Sequence, residues 1–498
     1  MRRVLAYALF AVLVTAPGPS ADAASAELDP SFGNGGRAVI DADGVARVDD
    51  LAVQPDGSVV VVGQVLDAGV VHAFAARLTP DGRPDPSFGV RRLAGVAGFE
   101  ERAQAVAVQP DGRILVAGET SAGQDAAVWR LLADGTPDPT FSDDGFATVP
   151  DAGAKEWAGA VALAPDGSVV VGGFTSNGAR AYVARLTPVG APDPTFDGDG
   201  LRLVGGATYF RDIRAVAVQP DGKVVATGSY AGTTGAPVYR LRADGSDDPA
   251  FGGGEVDIPG TVFDGRDLVL QPDGRVVVLT QTLPAGASRD VPVVVRLDGT
   301  GHVDPTFGFG AGATLGIGGD FEQGQELVAH GGGFVIAVSS VDRGPVLAAV
   351  DSDGKVDPEF GLPAVGGVVA TGLGVQPAGG FVVAVNNATG SEVDRLRGDT
   401  GPVVVVPTCH GRPATIVGTE DRDHLRGTPH DDVIVALGGN DVVRASSGND
   451  VVCGGEGNDR LSGGSGRDRL YGERGRDRLV GGSGKDRLVG GPGKDRLR

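Results

Sequence analysis

The sequence predicts an all-β protein in two parts, a seven-bladed β-propeller followed by a parallel β-roll. Three observations lead to this prediction: a composition poor in helix formers, a repeat of about 55 residues that occurs seven times, and a nine-residue repeat near the C-terminus. The 498 residues include 84 glycines and 32 prolines, and only 5 % are aromatic. This composition is typical of short strands joined by tight turns, and it argues against helical bundles and coiled coils.

The 55-residue repeat is marked by the string Asp-Pro-x-Phe. Its phenylalanines are Phe32, Phe88, Phe141, Phe196, Phe251, Phe307 and Phe360. A second string, Gln-Pro-Asp-Gly or a relic of it, alternates with the first and begins at Gln54, Gln109, Ala164, Gln219 and Gln271, with degenerate copies near His330 and Gln376. Proline, aspartate and glycine in this order favour a tight turn, so each copy is expected to join two strands.

Each repeat has room for four strands. In the first, Leu51–Val53 precedes the turn and Val59–Val62 follows it, and the unbroken apolar run of Val59–Val62 indicates a strand buried on both faces. Phe74–Leu78 supplies a third strand, and a more polar fourth strand follows the Asp-Pro-x-Phe string. Seven units of four strands predict a seven-bladed propeller.

The strings Gln219–Val225 and Asp304–Gly308 resemble the bacterial delta-60 repeat, a family whose resemblance implies no settled activity. The last repeat departs from the pattern, because Asp394-Arg395-Leu396 is followed by no Asp-Pro-x-Phe. The missing outer strand is therefore expected from Asp29–Ile40 or from Val403–Val406. No catalytic residue is predicted. The alternative to a binding module is a propeller enzyme, a lyase or hydrolase, acting at the mouth of the central channel.

The nine-residue repeat is carried by evenly spaced aspartates. These are Asp423, Asp432, Asp441, Asp450, Asp459, Asp468, Asp477, Asp486 and Asp495. Around them the pattern Gly-Gly-x-Gly-x-Asp-x-Leu-x emerges, most clearly at Gly454–Leu461. The pattern is similar to the hemolysin-type, or repeats-in-toxin, nonapeptide, which implies calcium binding by a parallel β-roll.

Residue chemistry supports calcium as the cofactor. Glycines allow sharp turns that direct carbonyl oxygens inward, and aspartate adds the hard anionic oxygen that Ca²⁺ prefers. Besides the nine aspartates, the predicted ligand-forming positions are Gly448, Gly455, Gly457, Gly464, Gly466, Gly482 and Gly484. The resemblance implies that ions lie between repeats n and n+2, so Asp441 is expected to share an ion with Asp459, and Asp450 with Asp468.

Basic residues next to the later aspartates leave an alternative open, namely a roll that kept its shape and lost its metal. Arg467, Arg476, Lys485 and Lys494 each precede an aspartate directly. Positive charges so close to Ca²⁺ weaken its binding, so the sites between Asp441 and Asp468 are expected to be the strongest. The same basic rows suggest docking on an anionic cell-wall polymer, or otherwise a solvated face. Another surface protein is a further possible partner.

The N-terminus reads as a secretory signal. Arg2 and Arg3 precede the apolar stretch Val4–Ala16, and small-residue cleavage sites follow at Ala21–Ala23 and Ala24–Ala26. Thirteen apolar residues fall short of the ~20 that a membrane span requires. We therefore expect an exported protein without a membrane span, either secreted or associated with the cell surface.

The charge and the cysteines complete the domain prediction. Residues 1–408 carry 28 basic and 50 acidic residues, a net charge of −22, whereas the chain from Cys409 onward carries 15 and 14. This acidic balance argues against a nucleic-acid partner. Cys409 and Cys453 are the only cysteines, and in an exported chain they are expected to form a disulfide. The predicted division is a signal peptide at 1–26, the propeller at 27–406, a linker at 407–418 and the roll at 419–498.

Overall fold

The structure is a computed structural model, and it describes most of the chain from Leu28 onward. The described residues are 28–498 without 43, 96–99, 121–124, 151–155, 176–179, 206–210, 231–234, 259–263, 283–290, 309–311, 316–321, 341–343, 358–359, 361–368, 388–389, 398–407, 410–411, 415 and 419–421. The predicted signal peptide and Val403–Val406 lie outside the described residues. Within the described part of the chain the named elements are all strands, and no helix is long and apolar enough to cross a membrane.

Seven antiparallel sheets form the blades of the propeller. Blade 1 begins at the second strand of the chain, because the first strand belongs to blade 7. After β1 (Arg37–Val39), blade 1 contains β2 (Val45–Val53), β3 (Val59–Asp67), β4 (Val70–Leu78) and β5 (Val90–Arg92). Blade 2 contains β6 (Glu101–Val108), β7 (Ile114–Thr120), β8 (Asp125–Leu131) and β9 (Phe146–Thr148). Blade 3 contains β10 (Glu156–Leu163), β11 (Val169–Thr175), β12 (Arg180–Leu186) and β13 (Leu201–Val204).

The remaining blades follow the same order. Blade 4 contains β14 (Arg211–Val218), β15 (Val224–Tyr230), β16 (Ala236–Leu241) and β17 (Glu255–Ile258). Blade 5 contains β18 (Gly265–Leu270), β19 (Val276–Thr282), β20 (Val291–Leu297) and β21 (Ala313–Thr314). Blade 6 contains β22 (Glu322–His330), β23 (Gly333–Ser340) and β24 (Gly344–Val350), and blade 7 contains β25 (Val369–Val375), β26 (Phe381–Asn387) and β27 (Gly390–Leu396).

The first strand of each blade lies innermost, and contacts between neighbouring first strands close the ring. β2 contacts β6 on one side and β25 of the last blade on the other. β1 pairs antiparallel with β27, with Arg37 opposite Asp394 and Val39 opposite Glu392, so the N-terminal segment supplies the outer strand of blade 7. This confirms the first of the two closures predicted from the sequence.

Apolar side chains pack between the blades on both faces of each sheet. Val59–Val62 are fully buried, as predicted from their unbroken apolar run. Six of the seven repeat phenylalanines have no exposed surface, the exception being Phe360. Burial on both faces explains why the central strands lack the alternation that is usual for antiparallel sheets.

A repeated arginine clamp joins blades 1, 2, 4 and 5 to the blade that follows each of them. Arg130 donates from Nε to Asp138 (2.7 Å), its guanidinium lies 4.5 Å from the ring centre of Phe141, and its Nη1 donates to the carbonyl of Pro188 in blade 3. The same arrangement recurs at Arg77, Arg240 and Arg296. The aspartate and phenylalanine of the marker string therefore hold an arginine that reaches across the blade boundary.

The C-terminal segment is a parallel solenoid of about four turns with two five-stranded sheets. The first roll sheet contains β30 (Ile416–Val417), β32 (Val433–Val435), β34 (Val451–Cys453), β36 (Arg469–Tyr471) and β38 (Arg487–Val489). The second roll sheet contains β31 (His424–Arg426), β33 (Val442–Ser447), β35 (Arg460–Ser465), β37 (Arg478–Ser483) and β39 (Arg496–Leu497). Each strand pairs with the strand 18 residues later, so two nonapeptides make one coil.

The roll has a thin apolar core, and a small hairpin covers one of its faces. The core contains Ile434, Val443, Val452, Leu461, Leu470 and Leu479, whereas Leu497 on the last strand is exposed. The hairpin of β28 (Thr408–Cys409) and β29 (Arg412–Pro413) packs on the outer side of the first roll sheet. Cys409 and Cys453 form the disulfide predicted from the sequence, with Cα atoms 5.7 Å apart.

Candidate metal centre

The repeat aspartates form two ladders along the edges of the roll. From Asp441 onward, the side chain of each accepts, through Oδ1, a hydrogen bond from the backbone N–H of the aspartate two repeats earlier. Asp459 accepts from Asp441 at 2.9 Å, and Asp468 accepts from Asp450 at 3.0 Å. The structure therefore brings together the residue pairs for which the sequence predicted shared ions, and one oxygen of each carboxylate has a fixed partner.

In five of the ladder aspartates the second carboxylate oxygen lacks a hydrogen-bond partner among the described residues. Oδ2 is buried and has no hydrogen-bond partner among the described residues in Asp441, Asp450, Asp459, Asp468 and Asp477. A buried, unpaired anionic oxygen costs several kcal/mol unless a cation or a donor compensates it. Five such atoms at equivalent positions of successive repeats indicate a shared cause, and a bound cation beside them would compensate their charge.

Carbonyl oxygens lie beside these unpaired atoms. A Cβ placed on Gly454 would lie 2.6 Å from Oδ2 of Asp459 and 2.8 Å from the carbonyl oxygen of Gly472. The corresponding point at Gly472 lies 2.6 Å from Oδ2 of Asp477 and 2.6 Å from the carbonyl oxygen of Gly490. Only glycine leaves this space free, so each coil presents a cradle of oxygens that a side chain would fill.

The predicted glycines also permit the close stacking of the coils. Gly448, Gly455, Gly457, Gly464, Gly466, Gly482 and Gly484 all have positive φ values, from 93° to 147°. At Gly457 a Cβ would overlap the carbonyl oxygen of Gly439 in the preceding coil. These glycines therefore set the spacing at which carbonyls and carboxylates of successive coils meet.

The electrostatics of the ladders favour a cation. The pKa of Asp450 is raised to about 7, first by burial and then by the neighbouring carboxylates of Asp468 and Asp432, against one backbone hydrogen bond that lowers it. Burial likewise raises the pKa of Asp459 to about 6, with Asp477 and Asp441 adding to the effect. The pKa values of Asp441, Asp468 and Asp477 are raised for the same first reason. Carboxylates that are costly to ionise alone gain most from a bound cation.

The donor set fits calcium. Calcium takes six to eight oxygens in flexible geometry, including backbone carbonyls. In the described part of the chain no three His, Cys, Asp or Glu side chains cluster as a metal site, so carboxylates alone would not complete a coordination shell. The residues that would hold the ion are the ladder aspartates together with the glycine carbonyls. Asp423, Asp432, Asp486 and Asp495 continue the same ladders at their ends.

The position before each aspartate changes character along the roll. Asn440 and Asn458 stack in one row, where the backbone N–H and side-chain amide of Asn458 both donate to Oδ1 of Asn440 at 2.9 Å. Arg476 continues this row, and its backbone N–H donates to Asn458. The other row runs from Asp431 through Asn449 to Arg467. The early coils thus carry acidic or neutral neighbours and the late coils basic ones.

The inner strands of the propeller hold a second group of carboxyls. Asp267 and Glu326 share a hydrogen bond, and both interact electrostatically with Asp50. Burial raises the pKa of Asp50 to about 8 and that of Asp267 to about 6, and it raises the pKa of Glu326 well above its usual value. Asp50 and Asp267 also accept hydrogen bonds from backbone groups of the neighbouring blade.

Asp50 and Asp267 make the same kind of contact with the next blade. Asp50 accepts from the N–H of Val106 in the next blade at 2.7 Å, and Asp267 accepts from the N–H of Leu327 in its next blade at 2.7 Å. Both residues directly follow a bulge in the innermost strand. They therefore bind backbone groups of the adjoining inner strand, which gives them a structural role in the ring.

Sequence reasoning missed this carboxyl group and the arginine clamps. The clamps had a detectable signal, because Arg77, Arg130, Arg185, Arg240 and Arg296 each precede the marker aspartate by eight residues. Asp50, Asp267 and Glu326 had none, since they lie far apart in sequence and only the ring brings them together.

The two parts of the chain match two known repeat families. The β-propeller domain of unknown function DUF5122 matches residues 54–88, 109–141, 164–196, 219–251 and 271–307. The RTX calcium-binding nonapeptide repeat matches residues 415–443, 426–461 and 462–497. No protein with curated function matches the chain.

Solved structures resemble the propeller at low identity. Kuenenia stuttgartiensis hydrazine synthase is 14 % identical, with a TM-score of 0.46, covering 72 % of this chain and 97 % of that one. The β-propeller domain of the Trilobed protease from Pyrococcus furiosus is 11 % identical, with a TM-score of 0.43, covering 74 % and 99 %. The WD40 β-propeller domain of Doa1 is 12 % identical, with a TM-score of 0.43, covering 72 % and 95 %.

Fold and site together define a class: a seven-bladed propeller joined to a parallel roll whose aspartate ladders suit calcium. In family terms, the chain carries DUF5122 β-propeller repeats followed by C-terminal RTX hemolysin-type calcium-binding nonapeptide repeats.

Proposed function

We propose that this protein is an exported, calcium-dependent binding or scaffold module of the cell surface or the extracellular space. The roll binds calcium between coils through the ladder aspartates and the glycine carbonyls. The propeller, which carries most of the negative charge, presents the larger surface for a partner. An anionic cell-wall polymer or another surface protein is the proposed partner.

One observation carries the calcium assignment, namely the five buried Oδ2 atoms without a hydrogen-bond partner among the described residues. An ion beside them would compensate Asp441 and Asp459 from one pair of coils, and Asp450 and Asp468 from the other. Because the unpaired carboxylates repel one another without metal, calcium binding and the ordering of the roll are coupled. RTX repeats are typical of extracellular proteins, where calcium is abundant, and this supports the proposal of export.

An enzymatic role remains the second candidate, and one observation favours it. Asp50, Asp267 and Glu326 converge at the inner strands of the propeller, and burial raises the pKa of all three, as is common for acid–base groups. The two hydrogen bonds from Val106 and Leu327 argue for a structural role instead. We therefore place the binding module first.

Calcium titration of the full mature chain tests the proposal. Isothermal calorimetry should detect binding of several ions, and the melting temperature of the roll should rise with calcium concentration by mass action. Asp459→Asn removes one ladder charge and should lower the affinity of its site at least ten-fold. Glu456→Gln, an exposed change in the same coil, is the matched control and should bind calcium like the wild type.

Two results would contradict the calcium proposal. Identical circular dichroism and identical melting in calcium and in chelator would show that the roll kept its shape and lost its metal. Equal calcium binding by Asp459→Asn and wild type would remove the ladder aspartates from the site.

A further inference from the structure

The outer face of the second roll sheet is basic from one end to the other. Leu425, Val443, Leu461 and Leu479 point into the core of the roll, so their neighbours on each strand point outward. The outward residues are His424, Arg426, Val442, Arg444, Arg460, Ser462, Arg478, Val480 and Arg496. Five are arginines, all of them exposed, and none is acidic.

The strand register aligns these arginines in columns. Arg460 lies opposite Arg478, and Arg478 lies opposite Arg496, in a parallel ladder. In the neighbouring column Arg426 lies opposite Arg444. Adjacent strands are ~4.8 Å apart, so arginines repeat at that interval from Arg460 to Arg496 in one column and from Arg426 to Arg444 in the other. Each of the five strands thus carries one outward arginine.

The arginines of this face have no ion-pair partner among the described residues. No ion pair joins Arg426, Arg444, Arg460, Arg478 or Arg496 to a carboxylate in the part of the chain that the structure describes. In the propeller, by contrast, the clamp arginines each hold an aspartate. Like charges directly opposite on a sheet repel, so an unpaired arginine ladder favours an external anion.

The first roll sheet differs over its early strands. There the outward residues Val433, Val435, Val451 and Cys453 are apolar and are buried beneath the disulfide-linked hairpin. The later strands of this sheet carry two exposed outward arginines, Arg469 and Arg487. An outward arginine on every strand is therefore a feature of the second roll sheet alone.

We infer that the basic face, defined by Arg426, Arg444, Arg460, Arg478 and Arg496, docks a flexible linear polymer with one phosphodiester in each repeating unit. The inference rests on the proposed function, because calcium must order the coils for the columns to align. The guanidinium fork binds phosphate oxygens in bidentate fashion, and one outward arginine on each successive strand suits a chain that runs along the roll.

The shape and charge of the molecule select this occupant. The face is two outward side chains wide on each strand, which matches the width of a single polymer chain. A polymer rich in carboxylates would compete with the ladder aspartates for calcium, which prefers carboxylate oxygens.

Poly(glycerol phosphate) of defined length is the probe. The full mature chain in saturating calcium should bind it at low salt and release it as salt rises through ~0.15 M, where the screening length is about 8 Å. The triple variant Arg460→Gln/Arg478→Gln/Arg496→Gln should lose at least ten-fold in affinity. The control Arg47→Gln/Arg83→Gln/Arg242→Gln removes three exposed charges from the propeller and should bind like the wild type.

Calcium titration of the same samples separates the two proposals. A wild type that binds calcium and not the polymer, or triple and control variants that bind the polymer equally, would overturn the docking inference and leave the calcium site standing. Tighter binding of duplex DNA, phosphatidylglycerol vesicles or polygalacturonate through the same three arginines would overturn the choice of occupant. A wild type that binds no calcium would overturn the proposed function itself.

Discussion

Arg395 and Asp29, from the two ends of the propeller sequence, form an ion pair with Nη2 and Oδ2 2.8 Å apart. Arg395 also lies 4.9 Å from the ring centre of Phe32 and donates from Nη1 to the carbonyl of Pro80 at 2.9 Å. Asp29 and Phe32 are the marker residues that the last repeat lacks. The N-terminal segment therefore completes both the outer strand of blade 7 and its arginine clamp.

Removing this clamp should open the ring. Arg395→Gln loses charge-assisted hydrogen bonds to Asp29 and Pro80 and should destabilise the propeller by about 2–3 kcal/mol, measured by denaturant unfolding. Arg397→Gln is the matched control, because Arg397 is more exposed and its Nε lies 3.8 Å from Asp29. It should cost less than about 1 kcal/mol. Equal losses in both variants would contradict the closing role of Arg395.

The inner carboxyls should make the propeller less stable as the pH rises. Burial raises the pKa of Asp50 to about 8 and of Asp267 to about 6, so the folded chain binds more protons than the unfolded chain above pH ~4. The contribution of these groups is fully present below the unfolded pKa and is lost as the pH rises towards about 8.

Glu326→Gln tests this dependence. The substitution removes one charge from the group, so the variant should exceed the wild type in stability by about 1–2 kcal/mol at pH 8.5 and match it at pH ~4.5. Both measurements are made in saturating calcium, so that the roll contributes equally. Asp143→Asn, at an exposed turn, should show no such crossover. A constant difference between Glu326→Gln and wild type at both pH values would count against the interpretation.

Close stacking of the coils depends on glycine. Gly457 has a φ of 137°, and a Cβ there would overlap the carbonyl oxygen of Gly439. Gly457→Ala should therefore destabilise the roll by more than about 2 kcal/mol and raise hydrogen exchange in residues 439–475 in the presence of calcium. Ser465→Ala, an exposed change in the same sheet region, should leave exchange unchanged.

The disulfide holds the hairpin on the first roll sheet. The Cys409–Cys453 bond closes a loop of 44 residues, which is worth about 4 kcal/mol in the chain-entropy model. The double variant Cys409→Ser/Cys453→Ser should release the hairpin, expose Val435 and Val451, and increase binding of a hydrophobic dye. Mass spectrometry of the unreduced wild type should find the two cysteine peptides linked. Freely alkylated thiols at both positions would remove this prediction.

Much of the roll could be read from the sequence because its contacts repeat at a fixed interval. The nonapeptide resemblance implies two repeats in each coil, so Asp441 was expected next to Asp459, and the hydrogen bond between them agrees with that spacing. The orphaned Oδ2 atoms could not be read in this way. They depend on how closely the coils stack, and that distance is set by glycines such as Gly457.

By itself the sequence determined the all-β class, the seven-fold and nine-residue repeats and the pairing of the two cysteines, since each rests on periodicity or residue chemistry. It also identified the nonapeptides as repeats of a calcium-binding type. Tertiary structure decided what joins residues distant in the chain. The tertiary structure selected Asp29–Ile40 to close the ring and brought Asp50, Asp267 and Glu326 together from three blades. It also placed the hairpin over the early strands of the first roll sheet, and it left an arginine exposed on every strand of the second. These features arise when the ring closes and the coils stack, because only then do strand edges and outward columns acquire their neighbours.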